Sequence, residues 1–160
     1  MTAQATQGVA DGGQARVATL GIDHVVVVVR DLTAAVARYA AVLGPPSGVE
    51  GGVDVGYRRA LFELGSSGQR IELCQPLDAD EPGGQSQASR SFRRRLETLG
   101  EGVHNVALLV ADVPAARAAA ERAGTTVIAS RHSESFFLHP RDMSGALLQL
   151  LAADSADRSG

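Results

Sequence analysis

Leu20-Gly21-Ile22-Asp23-His24-Val25-Val26-Val27-Val28-Val29-Arg30-Asp31-Leu32 is the stretch from which the fold is read. Its five consecutive valines are β-branched, strand-forming and too few to span a bilayer. Asp31 stands at an N-cap position ahead of Leu32, Val36, Tyr39 and Val42-Leu43 at helical spacing, and Gly44 stops the helix. Pro45 to Gly56 reads as a Gly/Pro loop, and Arg58 to Leu64 and Arg70 to Leu77 as strands around the turn Gly65-Ser66-Ser67-Gly68. The second half repeats this order. Gly102 to Val110 is strand-like, Asp112 caps a helix with Pro114 in its first turn, Ala115 to Ala123 favours helix, and Gly124 ends it. Thr125 to Ala129, Ser135 to His139 and Ala146 to Leu151 then read as strands. Aligning Asp31 with Asp112 superposes Gly21-Ile22-Asp23-His24-Val25 on Gly102-Val103-His104-Asn105-Val106, so the chain reads as a tandem βαβββ duplication of α+β class.

The expected organisation is a body over residues 18–152, with modules 18–77 and 101–152 and loose tails at 1–17 and 153–160. Between the modules, Asp78 to Ser89 is a polar linker, leading into a linker helix within 89–99 that carries Phe92, Leu96 and Leu99 on one side. Two such modules would curve their sheets around a shared cleft.

At 160 residues, with 44% apolar and 21% charged residues, the chain has the composition of one soluble globular domain. A net charge of −3 gives no general basic field for nucleic acid. All 15 basic residues are arginine, which removes Schiff-base chemistry and the P-loop lysine. Cys74 is the only cysteine, so neither an internal disulfide nor a cysteine zinc site can form. With no secretory signal and no membrane segment legible, a reducing, cytoplasmic location is the expectation.

Four polar residues interrupt apolar strands: His24, Glu72, Asn105 and Gln149. Burying such a group unpaired costs roughly 1–3 kcal/mol, so each must be hydrogen-bonded, metal-bound or facing a wet cleft. Each module contributes one from its first strand and one from its last, and modules that face each other would bring all four together. His and Glu donors suit a divalent metal, and hydrogen bonding alone suits each residue taken singly.

Gly21-Ile22-Asp23-His24-Val25, Arg30-Asp31-Leu32, Ile71-Glu72-Leu73, Gly100-Glu101-Gly102-Val103-His104, Phe137-Leu138-His139-Pro140 and Gly145-Ala146-Leu147-Leu148-Gln149-Leu150 together resemble the vicinal oxygen chelate superfamily, and within it most the methylmalonyl-CoA epimerases. The resemblance implies paired βαβββ modules and proton abstraction beside a carbonyl. It also implies one divalent metal of the Co, Mn, Ni, Zn or Mg class, which this chain's altered ligand set can dispense with. Carried over, the ligand positions fall on His24, Glu72 and Gln149, with Asn105 at the remaining one. The family has two adjacent histidines at the third block, of which the second is the ligand. That second position is Asn105 here, and strand parity points His104 away from the cleft. A family glutamate that serves as a base falls near Arg59. A homodimer is compatible with the resemblance.

Asn and Gln do not exchange protons near neutral pH, so His24 and Glu72 remain as the acid–base pair. Three readings follow. The first is an isomerase-, epimerase-, cyclase- or lyase-like enzyme acting on a carbonyl-containing metabolite or acyl thioester. The second is a non-catalytic small-molecule binder of the drug-sequestering kind. The third is an ordinary metal-dependent methylmalonyl-CoA epimerase. Asn105, Gln149 and Tyr57 are expected to touch substrate. One of Arg58 and Arg59 should reach the cleft as a fixed cation, since alternation aims only one of them inward. Arg93-Arg94-Arg95 reads as a solvated helix face or a thioester phosphate site, and His132 and Glu134 as exposed loop residues or a lid pair.

Overall fold

The computed structural model describes residues 16–153, so the expected tails at 1–17 and 153–160 lie almost entirely outside the described residues. Strand β1 (Thr19–Val28) is followed by α1 (Leu32–Leu43), β2 (Gly48–Gly52), β3 (Tyr57–Leu64) and β4 (Gln69–Pro76). Helix α2 (Gln87–Thr98) links to β5 (Gly102–Val110), α3 (Val113–Arg122), β6 (Val127–Ala129), β7 (Ser135–Leu138) and β8 (Leu148–Ala152). The strands form one eight-stranded sheet in the order β2-β3-β4-β1-β5-β8-β7-β6. This order is the repeat written in space: β2-β3-β4-β1 is mirrored by β6-β7-β8-β5, and β1 and β5 pair antiparallel at the centre. Within each half the first strand lies parallel to the last, β1 with β4 and β5 with β8.

The helix boundaries follow the expected caps. Asp31 accepts from the Ala34 backbone N–H at 2.9 Å and Asp112 from that of Ala115 at 2.8 Å. Gly44 and Gly124 follow at left-handed φ of 87° and 79°, which a glycine adopts without strain. Helix α1 packs Leu32 and Ala35 on Phe62 and Leu73 of β3 and β4. Helix α3 packs Ala116 and Ala120 on Phe136 and Leu150 of β7 and β8. Both helices therefore occupy one face of the sheet. Helix α2 lies on the other, where Phe92 and Leu96 meet Val26, Val28 and Cys74, and it closes one end of the concave side.

One strand differs from the sequence reading. Pro45 to Gly56 is not all loop: Gly48–Gly52 pairs with β3 as an edge strand, with Glu50 opposite Arg59. Its glycines carry little strand propensity, and the partner strand supplies the hydrogen bonds that hold it extended.

Candidate functional site

The uncovered part of the concave face holds a cleft of about 630 Å³. All four of the expected polar residues line it. His24, Glu72 and Asn105 are buried there, at 9%, 2% and 4% exposure. They form two pairs. On the first half, His24 Nδ1 lies 3.9 Å from Glu72 Oε1. On the second, the Asn105 side-chain N–H donates to Gln149 Oε1 at 3.2 Å.

Two β-bulges shape this floor. The register between β1 and β5 slips between Ile22 and His24, where Asp23 is the extra residue, and again between Val26 and Val27, where His104 is. A bulge breaks the strict alternation of side chains, and it does so at equivalent positions of the repeat. Asp23 therefore joins His24: His24 Nδ1 is 2.5 Å from Asp23 Oδ2. His104 likewise lines the cleft beside Asn105, which corrects the expectation that it points away. Its ring meets Phe92 edge-on at 4.9 Å and its Nε2 lies 3.3 Å from Ser91 Oγ. Burial, aided by the charge of Arg95, pushes the His104 pKa down to about 4, so the imidazole is neutral at neutral pH.

Around the Asp23–His24 pair the charges interlock. Arg70 donates from Nε to Glu72 at 3.0 Å and from Nη2 to Asp23 at 3.2 Å. Arg59 reaches Glu72 from Nη1 at 3.3 Å and Glu50 from Nη2 at 2.7 Å. Burial works to raise the Asp23 carboxyl, but the His24 hydrogen bond and the Arg70 charge outweigh it and hold it below its ordinary range. Burial likewise works against the Arg59 charge, and the carboxylates of Glu72 and Glu50, together with Tyr57, reinforce it. Tyr57 lines the same wall, and burial first, then the neighbouring Cys74, pushes its phenol up to about 12, leaving it a hydrogen-bond donor. Cys74 is buried and its thiol is pushed well up, chiefly by burial, so it is inert.

Of the paired arginines, Arg59 is the one in the cleft. Arg58, also held as a substrate-binding candidate, is on the opposite side of β3 and pairs with Glu81 at 2.7 Å, because alternate strand residues point to opposite faces. Arg93 is spent on structure, donating to the Leu77 and Gly84 carbonyls at 2.6 Å and 2.7 Å. His132 and Glu134, on the β6–β7 loop, line the cleft at its rim. Asp23 and Arg70 are the site residues that sequence reasoning passed over. The signal for Asp23 was a carboxylate beside an aliphatic strand run, on the side that alternation would bury under the helices.

A divalent metal does not suit these donors. The Glu72 carboxylate is already engaged by two guanidinium groups, and the Gln149 oxygen accepts from Asn105. Among the described residues, no group of three or more His, Cys, Asp or Glu is placed to hold a metal ion. No helix among them is long and apolar enough to cross a membrane.

A glyoxalase-like domain family matches residues 22–157. The ethylmalonyl-CoA/methylmalonyl-CoA epimerase of Cereibacter sphaeroides is 31% identical over 137 residues, covering 81% of this chain and 95% of that protein. The solved methylmalonyl-CoA epimerase of Mycobacterium tuberculosis superposes with a TM-score of 0.68 at 28% identity, covering 88% of this chain and 93% of that one. A variant of the Streptomyces coelicolor methylmalonyl-CoA epimerase, in complex with 2-nitronate-propionyl-CoA, superposes with a TM-score of 0.66 at 30% identity, covering 84% and 98%.

Proposed function

The chain belongs to the glyoxalase-like domain family, and on that premise we propose that it is an epimerase-like enzyme removing the proton beside the carbonyl of an acyl-CoA thioester, with His24 as the base. The observation that carries this reading is the Asp23–His24 pair, 2.5 Å apart on the floor of the cleft. Asp23 accepts the hydrogen bond from Nδ1–H, fixes the tautomer and leaves the Nε2 lone pair to accept a proton from substrate. It also stabilises the imidazolium that results. Glu72 holds Arg59 and Arg70 in place as fixed cations near the reacting carbonyl. Asn105, Gln149 and Tyr57 offer neutral hydrogen-bonding groups that orient the thioester without competing for the proton. The epimerases among its relatives act on malonyl-type CoA esters by name, which supports an acyl thioester as the substrate class.

Inversion requires a proton delivered to the opposite face. Glu134 and His132, titratable groups that line the cleft from the second half, are the candidates for that delivery. Returning the proton from His24 alone would exchange it without inverting the centre.

The test is incubation of methylmalonyl-CoA with the protein in D2O, followed by mass spectrometry and by the optical purity of the product. We expect uptake of one deuterium at the α-carbon, lost in His24→Gln and retained without inversion in Glu134→Gln. A protein that binds the thioester but leaves that C–H unexchanged is a binder, and the proposal falls.

A further inference from the structure

We propose that Arg59 and Arg70 are themselves the cation of this cleft, occupying the role the resemblance assigns to a divalent metal, and that they bind the substrate's oxyanion directly in a protein that works without metal. This rests on the preceding reading only for which oxyanion is bound.

The oxygen donors a metal would need are committed elsewhere. Glu72 accepts from Arg70 Nε and Arg59 Nη1. The Asp23 carboxylate oxygen that meets His24 Nδ1 also accepts from Arg70 Nη2, which leaves only His24 Nε2 open. Gln149 Oε1 accepts from Asn105. The two innermost carboxylates, Asp23 and Glu72, are already ion-paired with the two guanidinium groups, so a dication would reach Glu72 only by displacing a pair that is formed.

An anion meets the opposite situation. A guanidinium carries five N–H donors in a rigid fork and stays charged throughout the accessible pH range. The carboxylates use only part of that capacity. Arg70 engages them through Nε and Nη2, so its Nη1 is outside both of those bonds. Arg59 engages them through Nη1 and Nη2, so its Nε is likewise outside them. Both side chains line the cleft beside His24. Donors held in advance by a carboxylate need not reorganise when charge develops on an oxygen, the property that makes an oxyanion site effective. Arg59 also falls near the position where the resemblance places a glutamate base, so a proton-moving group has given way to a charge-holding one.

The experiment uses the full chain after dialysis against EDTA. Cobalt(II) is titrated in and followed by visible absorption and by equilibrium dialysis. Binding of 2-nitronate-propionyl-CoA, a planar anion shaped like an enolate, is measured by calorimetry beside neutral propionyl-CoA. We expect no stoichiometric cobalt uptake at micromolar concentrations and tight nitronate binding without metal. Arg70→Gln and Arg59→Gln should each weaken the nitronate by ~10–100-fold, the range for a charge-assisted hydrogen bond, with a clearly smaller loss for neutral propionyl-CoA, and circular dichroism certifies the fold. Arg59→Lys should retain part of the nitronate affinity.

Stoichiometric cobalt binding that disappears in His24→Gln overturns the proposal, as does nitronate binding that needs added metal. Equal losses for both thioesters overturn it too. Arginine-dependent nitronate binding without α-proton exchange supports the inference while sinking the catalytic reading. Exchange that begins only when metal is supplied does the reverse.

Discussion

The two halves of the sheet share a frame and differ in charge. Each opens with a strand carrying a bulge at the same point of the repeat, Asp23 in β1 and His104 in β5, and each lays its helix on the same side. On the floor of the first half stand Asp23, His24, Arg59, Arg70 and Glu72, a network of ion pairs. The second half sets Asn105, Gln149, Ser135 and Phe137 against it, with the neutral His104 at the end covered by α2. A duplicated backbone therefore dictates where side chains enter the cleft but not what they do there. The ion-pair network gathers on the floor of one half, whereas the other lays a neutral floor and keeps its titratable groups, His132 and Glu134, on the rim loop.

The sharpest way to break this division is to measure α-proton exchange on both halves. His24→Gln should reduce it by ~10²–10⁴-fold, the span of general-base catalysis, whereas Asn105→Ala should cost only a few-fold. Equal losses would abolish the distinction.

The pH dependence of stability probes the second half separately. An unfolded histidine takes a proton near 6.5, but His104 in the fold does so only near 4. Between those values the unfolded chain binds more protons, so stability is full above ~6.5 and falls as pH drops toward ~4, by up to about 3 kcal/mol. Asp23, lowered in the fold, acts in the same direction further into acid. Urea midpoints between pH 7 and pH 4.5 will read this, and His104→Phe should flatten the curve above pH 5.

Asp23→Asn should lower kcat for exchange by ~10–100-fold with little change in KM, since it removes the partner of the imidazolium and not a contact with substrate. A change confined to KM would make Asp23 a binding residue. The smallest effect belongs to the amide pair: Asn105→Ala should cost about 1 kcal/mol in chemical denaturation, the net worth of one side-chain hydrogen bond.

Much of this was legible from residue order. The valine run, the two aspartate caps, the glycine stops and the repeated order were enough to place two modules face to face. Four polar residues on apolar strands were enough to mark the floor of the cleft. What escaped depended on tertiary context. Gly48–Gly52 reads as loop because its residues have no preference for extension, and it becomes a strand only by pairing with β3. Asp23 and His104 were missed because alternation along a strand assumes no extra residue, and a bulge leaves no mark in composition. Arg70 was hidden by its ordinary setting beside a turn, and its role emerges only where the parallel pairing of β4 with β1 sets it opposite His24.

A bulge brings two consecutive residues together, so each first strand addresses the cavity with a pair of neighbouring codons, both on the lining in β5 and, in β1, His24 on the lining with Asp23 held behind it. Gene duplication copied that two-letter cassette along with the fold. Asp23-His24 and His104-Asn105 are its two present spellings. Varying those four positions together with Val26 would rewrite what both central strands present to the cleft, or hold beneath it, while the helix-packed cores behind them stayed untouched.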